Sequence, residues 1–294
     1  MYGRMKRLLF AVALIVFSRS SGVIGNFANA GGNAVARAGQ VVLTNGTATC
    51  SIDTLGGRVL SCRMGGEEML WQGDVAVRGD EPWVHGGIPL AWPWFGRVGN
   101  GDADIHGYAW KRKFRVVERT VGRVVLSLET ESASLRYEIE LLDGLSLCVE
   151  TTNKSDFPYP MGVAFHPYFR VGERDRVSVE GIYDIPVLVT NAVDRGVRFG
   201  AAVPSKAYRI CDAALNRTIC IEAENSTGVN LWNPGVEKNC PGFISGDEWR
   251  RFVAVEPYAM GVNRFLVLKP QEKHVLRMKV RLEKNGTGLT KKAQ

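Results

Sequence analysis

Leu135-Arg-Tyr-Glu-Ile-Glu-Leu141 is followed, across Asp143-Gly144, by Leu145-Ser-Leu-Cys-Val149. Apolar and polar side chains alternate in the first run, as they do on a strand with one buried and one wet face. Asp-Gly between two such runs is a strong hairpin signal, because both residues tolerate the positive φ of a tight turn. Working outward, Leu276, Met278, Val280 and Leu282 alternate with Arg277, Lys279 and Arg281, and residues 123–128, 219–223 and 252–255 read as further strands. Beyond the N-terminus no segment holds a 3.6-residue apolar period over a dozen residues, and no repeat or low-complexity linker divides the chain. Strands recurring between short, glycine-rich turns predict an all-β fold, a large antiparallel sandwich, not alternating βαβ units.

The N-terminus reads differently. Arg4, Lys6 and Arg7 precede the apolar run at residues 8–17, and a polar stretch then ends in Ala28-Asn29-Ala30. A basic region, a short hydrophobic core and an A-x-A site predict a secretory signal peptide over residues 1–30, cleaved near Ala30. Ten apolar residues fall well short of the roughly 20 that span a bilayer. The expectation is an exported protein, periplasmic or secreted, with no stable membrane insertion after cleavage. Residues 31–294 then form a single domain. Four of the 37 basic residues and none of the 30 acidic ones lie in residues 1–30, leaving 33 bases against 30 acids, a net +3. So small an excess, without a basic stripe interleaved with aromatics, argues against a nucleic-acid partner.

Cys50, Cys62, Cys148, Cys211, Cys220 and Cys240 contain no C-x-x-C. Cys50 and Cys62 are symmetric about Gly56, and Cys211 and Cys220 about Leu215-Asn216. If both are hairpins, either pair is a candidate bridge in an oxidising compartment, and buried free thiols stand level with that reading. Residues 79–107 and 232–249 carry no strand pattern, and loops of that length are commonly functional. The first holds Trp83, Trp92, Trp94 and Phe95, with Tyr108 just past its end, ring faces on which sugar C–H faces stack.

Three of the four histidines, His85, His106 and His166, sit beside glycine, proline or aromatic residues, whereas His274 reads as an ordinary surface residue. Glu256 follows the apolar run 252–255 and precedes Pro257, which is expected to end regular pairing. Desolvation at such a strand end raises a carboxyl pKa towards neutrality, which suits a general base. The bland alternative pairs Glu256 with Arg250 or Arg251. The histidine spacings match no short zinc motif, no G-x-S-x-G marks a serine nucleophile, and only one strong carboxylate candidate disfavours a retaining glycosidase.

Gly86-Gly-Ile-Pro-Leu-Ala-Trp-Pro-Trp-Phe-Gly96, His106-Gly-Tyr-Ala109, Phe165-His-Pro-Tyr-Phe169, Leu231-Trp-Asn-Pro-Gly235 and Val253-Ala-Val-Glu-Pro257 resemble, in order, the signatures of the aldose 1-epimerase (galactose mutarotase-like) superfamily, nearest to its glucose-6-phosphate 1-epimerase branch. Leu55-Gly-Gly-Arg-Val-Leu-Ser61 also fits, and the likeness runs over roughly residues 40–283. The resemblance implies a β-supersandwich and an isomerase that needs no cofactor and no metal. It implies that Glu256 takes the C1 hydroxyl proton while His166 protonates the ring oxygen, with His106 binding the substrate.

Two arginines of the phosphate-specific branch are replaced here, by His85 and Trp110, and neither offers the guanidinium fork that suits a phosphate. Lys111, Arg112 and Arg97 are possible compensators. Ser205, in Val203-Pro-Ser-Lys-Ala-Tyr208, stands near the place of the family's substrate-binding Asp, with Asp184 and Asp194 as alternatives. The expected substrate-binding set is therefore His106, His85, Trp110 and Ser205, and the expected substrate is a neutral sugar rather than a hexose 6-phosphate. A non-catalytic carbohydrate-binding protein on the same fold is the competing reading, and a lyase or hydrolase on a related sandwich is a distant third.

Overall fold

The computed structural model describes residues 39–72, 85–98, 105–184, 186–189, 193–235, 244, 246–261 and 263–285. The expected signal peptide, Trp83 and Cys240 lie outside these residues. Four strands open the described chain, β1 (Gln40–Thr44), β2 (Ala48–Asp53), β3 (Arg58–Met64) and β4 (Glu67–Glu68), and pair in that order. β5 (Leu90–Ala91) precedes a meander of β6 (Arg115–Arg119), β7 (Arg123–Glu129), β8 (Ala133–Leu141) and β9 (Leu145–Asn153). Then come β10 (Tyr159–Met161), β11 (Val163–Phe165), β12 (Tyr168–Arg170), β13 (Val177–Glu180), β14 (Val187–Leu188), β15 (Val193–Val203), β16 (Lys206–Asp212) and β17 (Arg217–Glu224). β18 (Ser226–Asn233), β19 (Phe252–Ala259), β20 (Leu266–Leu268) and β21 (Lys273–Lys284) complete the set.

Two sheets make the sandwich. One has nine strands in the order β14-β13-β16-β17-β21-β9-β8-β7-β6; the other runs β15-β18-β19-β11-β5, with β12 also on β19. Their ladders are antiparallel, so the expected all-β sandwich is what forms. The hairpin at Asp143-Gly144 is present, with Leu141 opposite Leu145 and the β8 residues Leu135, Tyr137 and Ile139 turned inward. Leu276, Met278 and Val280 of β21 do the same, and these side chains share one core with Val229 and Leu231 of β18 and Val253 and Val255 of β19. Each such buried side chain contributes roughly 1.5–3 kcal/mol.

Alternation along β19 decides where the chemistry sits. Val253, Val255 and Ala259 enter the inter-sheet core, whereas Phe252 and Tyr258 join aromatic clusters away from it. Side chains of even number on this strand therefore share the outer face, and Glu256 is among them. A slip of one residue would carry the carboxyl into the core and two valines out, so the register is strongly specified.

Several expectations change. Pro257 does not end pairing, because β19 continues to Ala259 with Pro257 opposite Val229. Trp92 faces the core, its Nε1 donating to Thr151 Oγ1 at 3.0 Å, and is no sugar platform. His274 is half-buried on β21, not a plain surface residue. Cys50 and Cys62 are register partners on β2 and β3 and are disulfide-bonded. Cys211 and Cys220 are offset, opposite Thr218 and Arg209, and are free thiols, as is Cys148.

Candidate active site

The strand beside β19 is broken where it matters. β11 pairs Ala164 with Tyr258 and β12 pairs Tyr168 with Ala254, in a single register interrupted at His166-Pro167. Pro167 and Pro257 both lie at this break, and neither has an N–H to give a ladder. The pairing lost towards β19 is replaced on the other side, where His166 N–H donates to Pro89 O at 3.0 Å and Tyr168 N–H to Gly87 O at 2.9 Å. Carried through the gap, the register sets His166 opposite Glu256, and Nε2 of the histidine stands 3.6 Å from Oε1 of the glutamate. Both groups are almost fully buried.

Neither bland pairing of Glu256 forms. Arg250 reaches Glu173 and Asp175, and Arg251 donates to Gly172 O. Burial, then the field of Asp194, push the Glu256 carboxyl well above its ordinary pKa, while Asn230 partly offsets them by hydrogen bonding. Burial lowers His166 to about 3. The buried site thus favours a carboxylic acid beside a neutral imidazole, a state with one proton between the two groups that differs in tautomer and not in net charge from carboxylate beside imidazolium.

His106 comes from a strained turn. Its φ of 61° is unusual for a residue with a Cβ, and Gly107 follows at 73°. A Cβ on Gly107 would lie 2.1 Å from Trp92 O, so only glycine lets the two segments meet. Gly96 N–H donates to His106 Nδ1 at 3.1 Å, which leaves the ring proton on Nε2 as a donor. The ring centroid is 5.1 Å from that of His166. Burial first, then His166 and Arg97, hold His106 well below its ordinary pKa.

Aromatic rings line the pair. Tyr168 stacks on His166 with centroids 4.9 Å apart, and Trp232 and Phe95 stand edge-on at 6.2 and 6.3 Å. Trp232 belongs to β18, not to the irregular stretch in which the sequence placed it. His85 joins the group, with Nδ1 2.7 Å from the Tyr168 hydroxyl. Burial, the other two histidines and Arg58 keep His85 neutral. Trp110 Nε1 donates to Gly107 O at 2.9 Å beside the His106 turn. Ser205 is not brought to this cluster: it is exposed, and its hydroxyl donates to Glu222 of β17 at 3.0 Å. Of the acids weighed for that role, Asp194 reaches the site, accepting from Asn230 at 3.2 Å, and Asn230 is the register partner of Glu256. Lys111 and Arg112 lie over the rings of Trp110 and Tyr108 on the exposed surface. Among the described residues, no group of three or more His, Cys, Asp or Glu is arranged to hold a metal ion.

Tyr168 and Asn230 were not singled out from sequence, although Tyr168 sits inside Phe165-His-Pro-Tyr-Phe169. Asn230, two residues before Trp232 on one strand face, carried no signal of its own.

Similarity to known proteins agrees with this geometry. The family model described as Aldose 1-epimerase matches residues 39–281. A Salmonella typhimurium protein named "Putative glucose-6-phosphate 1-epimerase" is 27% identical over 256 residues, covering 78% of this chain and 86% of its own. A protein of the same name from Cenchrus ciliaris is 27% identical over 272 residues, covering 79% and 81%. The solved structure of a galactose mutarotase-like protein from Clostridium acetobutylicum superposes with a TM-score of 0.65 at 15% identity, over 83% of this chain and 95% of that one. The Slr1438 protein from Synechocystis sp. gives 0.69 at 17% identity with the same coverage. At such identities the structural likeness speaks for the fold, while the family match runs across nearly all of the described residues. The chain belongs to the aldose 1-epimerase family.

Proposed function

We propose that this isomerase is an exported mutarotase that interconverts the α and β anomers of a neutral hexose, or of the reducing end of an oligosaccharide. The carrying observation is the buried pair, His166 Nε2 and Glu256 Oε1 at 3.6 Å, on an aromatic-walled sheet face. The ring oxygen and the C1 hydroxyl oxygen share one carbon, so an acid and a base this close reach both at once.

Glu256 as carboxylate removes the C1 hydroxyl proton, the C1–ring-oxygen bond breaks, and His166 as imidazolium protonates the departing oxygen. The aldehyde then faces a carboxylic acid and a neutral imidazole, the tautomer that burial favours. Rotation about C1–C2 presents the other carbonyl face, and closure returns both protons. Ring opening thus leaves the pair in the tautomer that burial favours, and sugar hydroxyls entering the site restore polar contacts that bring the ion-pair tautomer within reach. His106, whose Nδ1 accepts from Gly96 N–H, carries its ring proton on Nε2 and is the donor that holds a sugar oxygen during rotation.

The neutral substrate is supported by what stands where the phosphate-specific branch has guanidinium groups: a neutral His85 tied to Tyr168, and the Trp110 indole. Export is supported by the pattern of residues 1–30 and by the Cys50–Cys62 bond, which belongs in an oxidising compartment. Anomer exchange followed by NMR on glucose, galactose and glucose 6-phosphate tests the reading. Faster turnover of the phosphorylated sugar would overturn the neutral substrate, and no exchange above buffer would leave a carbohydrate-binding protein.

A further inference from the structure

Arg58, at the start of β3, is the cross-strand partner of Asp53 at the end of β2. Together they line a cleft of about 30 Å³ whose other walls are Leu55, Pro89 and Trp110, enough for about one or two hydroxyl-sized groups. Arg58 Nη1 is buried and meets no hydrogen-bond acceptor among the described residues. An unmet buried donor costs free energy, and the residue that carries this one is part of the cleft wall. Asp53 Oδ1 accepts from Leu55 N–H at 2.8 Å, which holds the carboxylate at the cleft.

The cleft adjoins the catalytic pair. The carbonyl of its Pro89 wall accepts from His166 N–H at 3.0 Å. Its Trp110 wall lies four residues past His106, and the charge of Arg58 is felt by His85. The turn between β2 and β3 is seated against the far wall, with Gly56 N–H donating to Arg112 O at 2.8 Å and no room for a Cβ against Trp110 O. A lone guanidinium would suit an anion, but Asp53 in the same wall repels one. A carboxylate acceptor, a guanidinium donor and an indole in the wall together match a vicinal hydroxyl pair with its adjoining C–H surface.

We infer that this cleft is the specificity subsite for the sugar edge remote from C1, where Arg58 donates to and Asp53 accepts from a vicinal hydroxyl pair of a neutral sugar beside Trp110. The inference rests on the mutarotase reading. It is tested by NMR anomer exchange with wild type, Arg58→Met and Asp53→Asn, on glucose, cellobiose, glucose 6-phosphate and glucuronate. Circular dichroism and melting confirm folding. KM is expected to rise by roughly tenfold or more in both variants while kcat holds within a few-fold, the pattern of lost binding that is uniform between ground and transition state. A rise on glucose places the hydroxyl pair on the reacting ring, and a rise on cellobiose alone places it on the next residue; either upholds the subsite. A rise confined to the phosphorylated or carboxylated sugar makes Arg58 an anion receptor and overturns it, as does an unchanged KM throughout. Calorimetric sugar binding keeps the two readings apart, because Arg58-dependent affinity without exchange would sink the mutarotase reading and leave the subsite standing.

Discussion

Replacing Glu256 by Gln preserves the shape of the side chain and removes its ionisation, and two effects of opposite sign are expected. Anomer exchange should fall by about 10²–10⁴-fold, the usual worth of a positioned acid/base group, or roughly 3–5 kcal/mol of barrier. Stability should move the other way. Burial and the field of Asp194 raise the native carboxyl above its ordinary value of 4.5, so above that pH the native state keeps a proton that the unfolded chain has released. The stability contributed by Glu256 is therefore complete below its unfolded pKa and drains at about 1.4 kcal/mol per pH unit until the native pKa is reached. Gln has no such drain. Urea unfolding of both proteins across roughly pH 5 to 9 should show the variant gaining on wild type at that slope, then levelling at the native pKa of Glu256. Groups common to both proteins cancel in the difference, His166 included while it stays neutral in each. A difference flat in pH would mean that the carboxylate is ionised in the empty site, and the argument for a neutral pair would fail. Exchange within a few-fold of wild type would remove Glu256 as the base.

The pH profile of exchange should keep its rate well below the ordinary imidazole range, because His166 is lowered to about 3 by burial; an acid limb near 6.5 in kcat/KM would contradict this. Gly107→Ala should destabilise by at least about 1–3 kcal/mol, since a φ of 73° and a Cβ 2.1 Å from Trp92 O strain the turn that carries His106; an unchanged urea midpoint would show that the turn relaxes freely. Tyr168→Phe removes the partner of His85 at 2.7 Å and should cost about 1 kcal/mol of stability, with a raised KM as His85 loses its orientation. Equal stability and KM in that variant would make the contact incidental.

The sandwich was legible because alternation is a local property. Leu135 to Leu141 and Leu276 to Leu282 show which face is buried without reference to any partner strand. Pairing is not local. The sequence reading stopped β19 at Val255 because proline lacks a ladder donor, yet the neighbouring strand is itself broken opposite Pro257, so no bond is lost there. The same blindness to partners left the substrate-side polar group open among Ser205, Asp184 and Asp194. Asp194 holds a place near Glu256 only because β15 lies beside β18 and β18 beside β19, an order that no spacing along the chain reveals. Trp92 was misread for a related reason, as aromatic residues in an irregular segment look alike until the core claims one of them.

Glu256 was recoverable for a reason that sharpens with the structure. A central strand covered on both faces reads as a nearly continuous apolar run, and every residue of β19 from Phe252 to Ala259 is buried. One carboxyl within such a run is expensive unless it is paired or kept neutral, and the two arginines just before the strand, Arg250 and Arg251, are engaged elsewhere. On one side Asn230 of β18 is its register partner, and on the other the titratable group set opposite it is His166, some ninety residues earlier in the chain and itself buried. Two titratable groups whose pKa values burial drives in opposite directions, held 3.6 Å apart, do not add stability as an exposed ion pair would. Their arrangement makes sense as a single proton that can sit on either side, and that is the requirement of a reaction in which acid and base exchange roles between ring opening and ring closure.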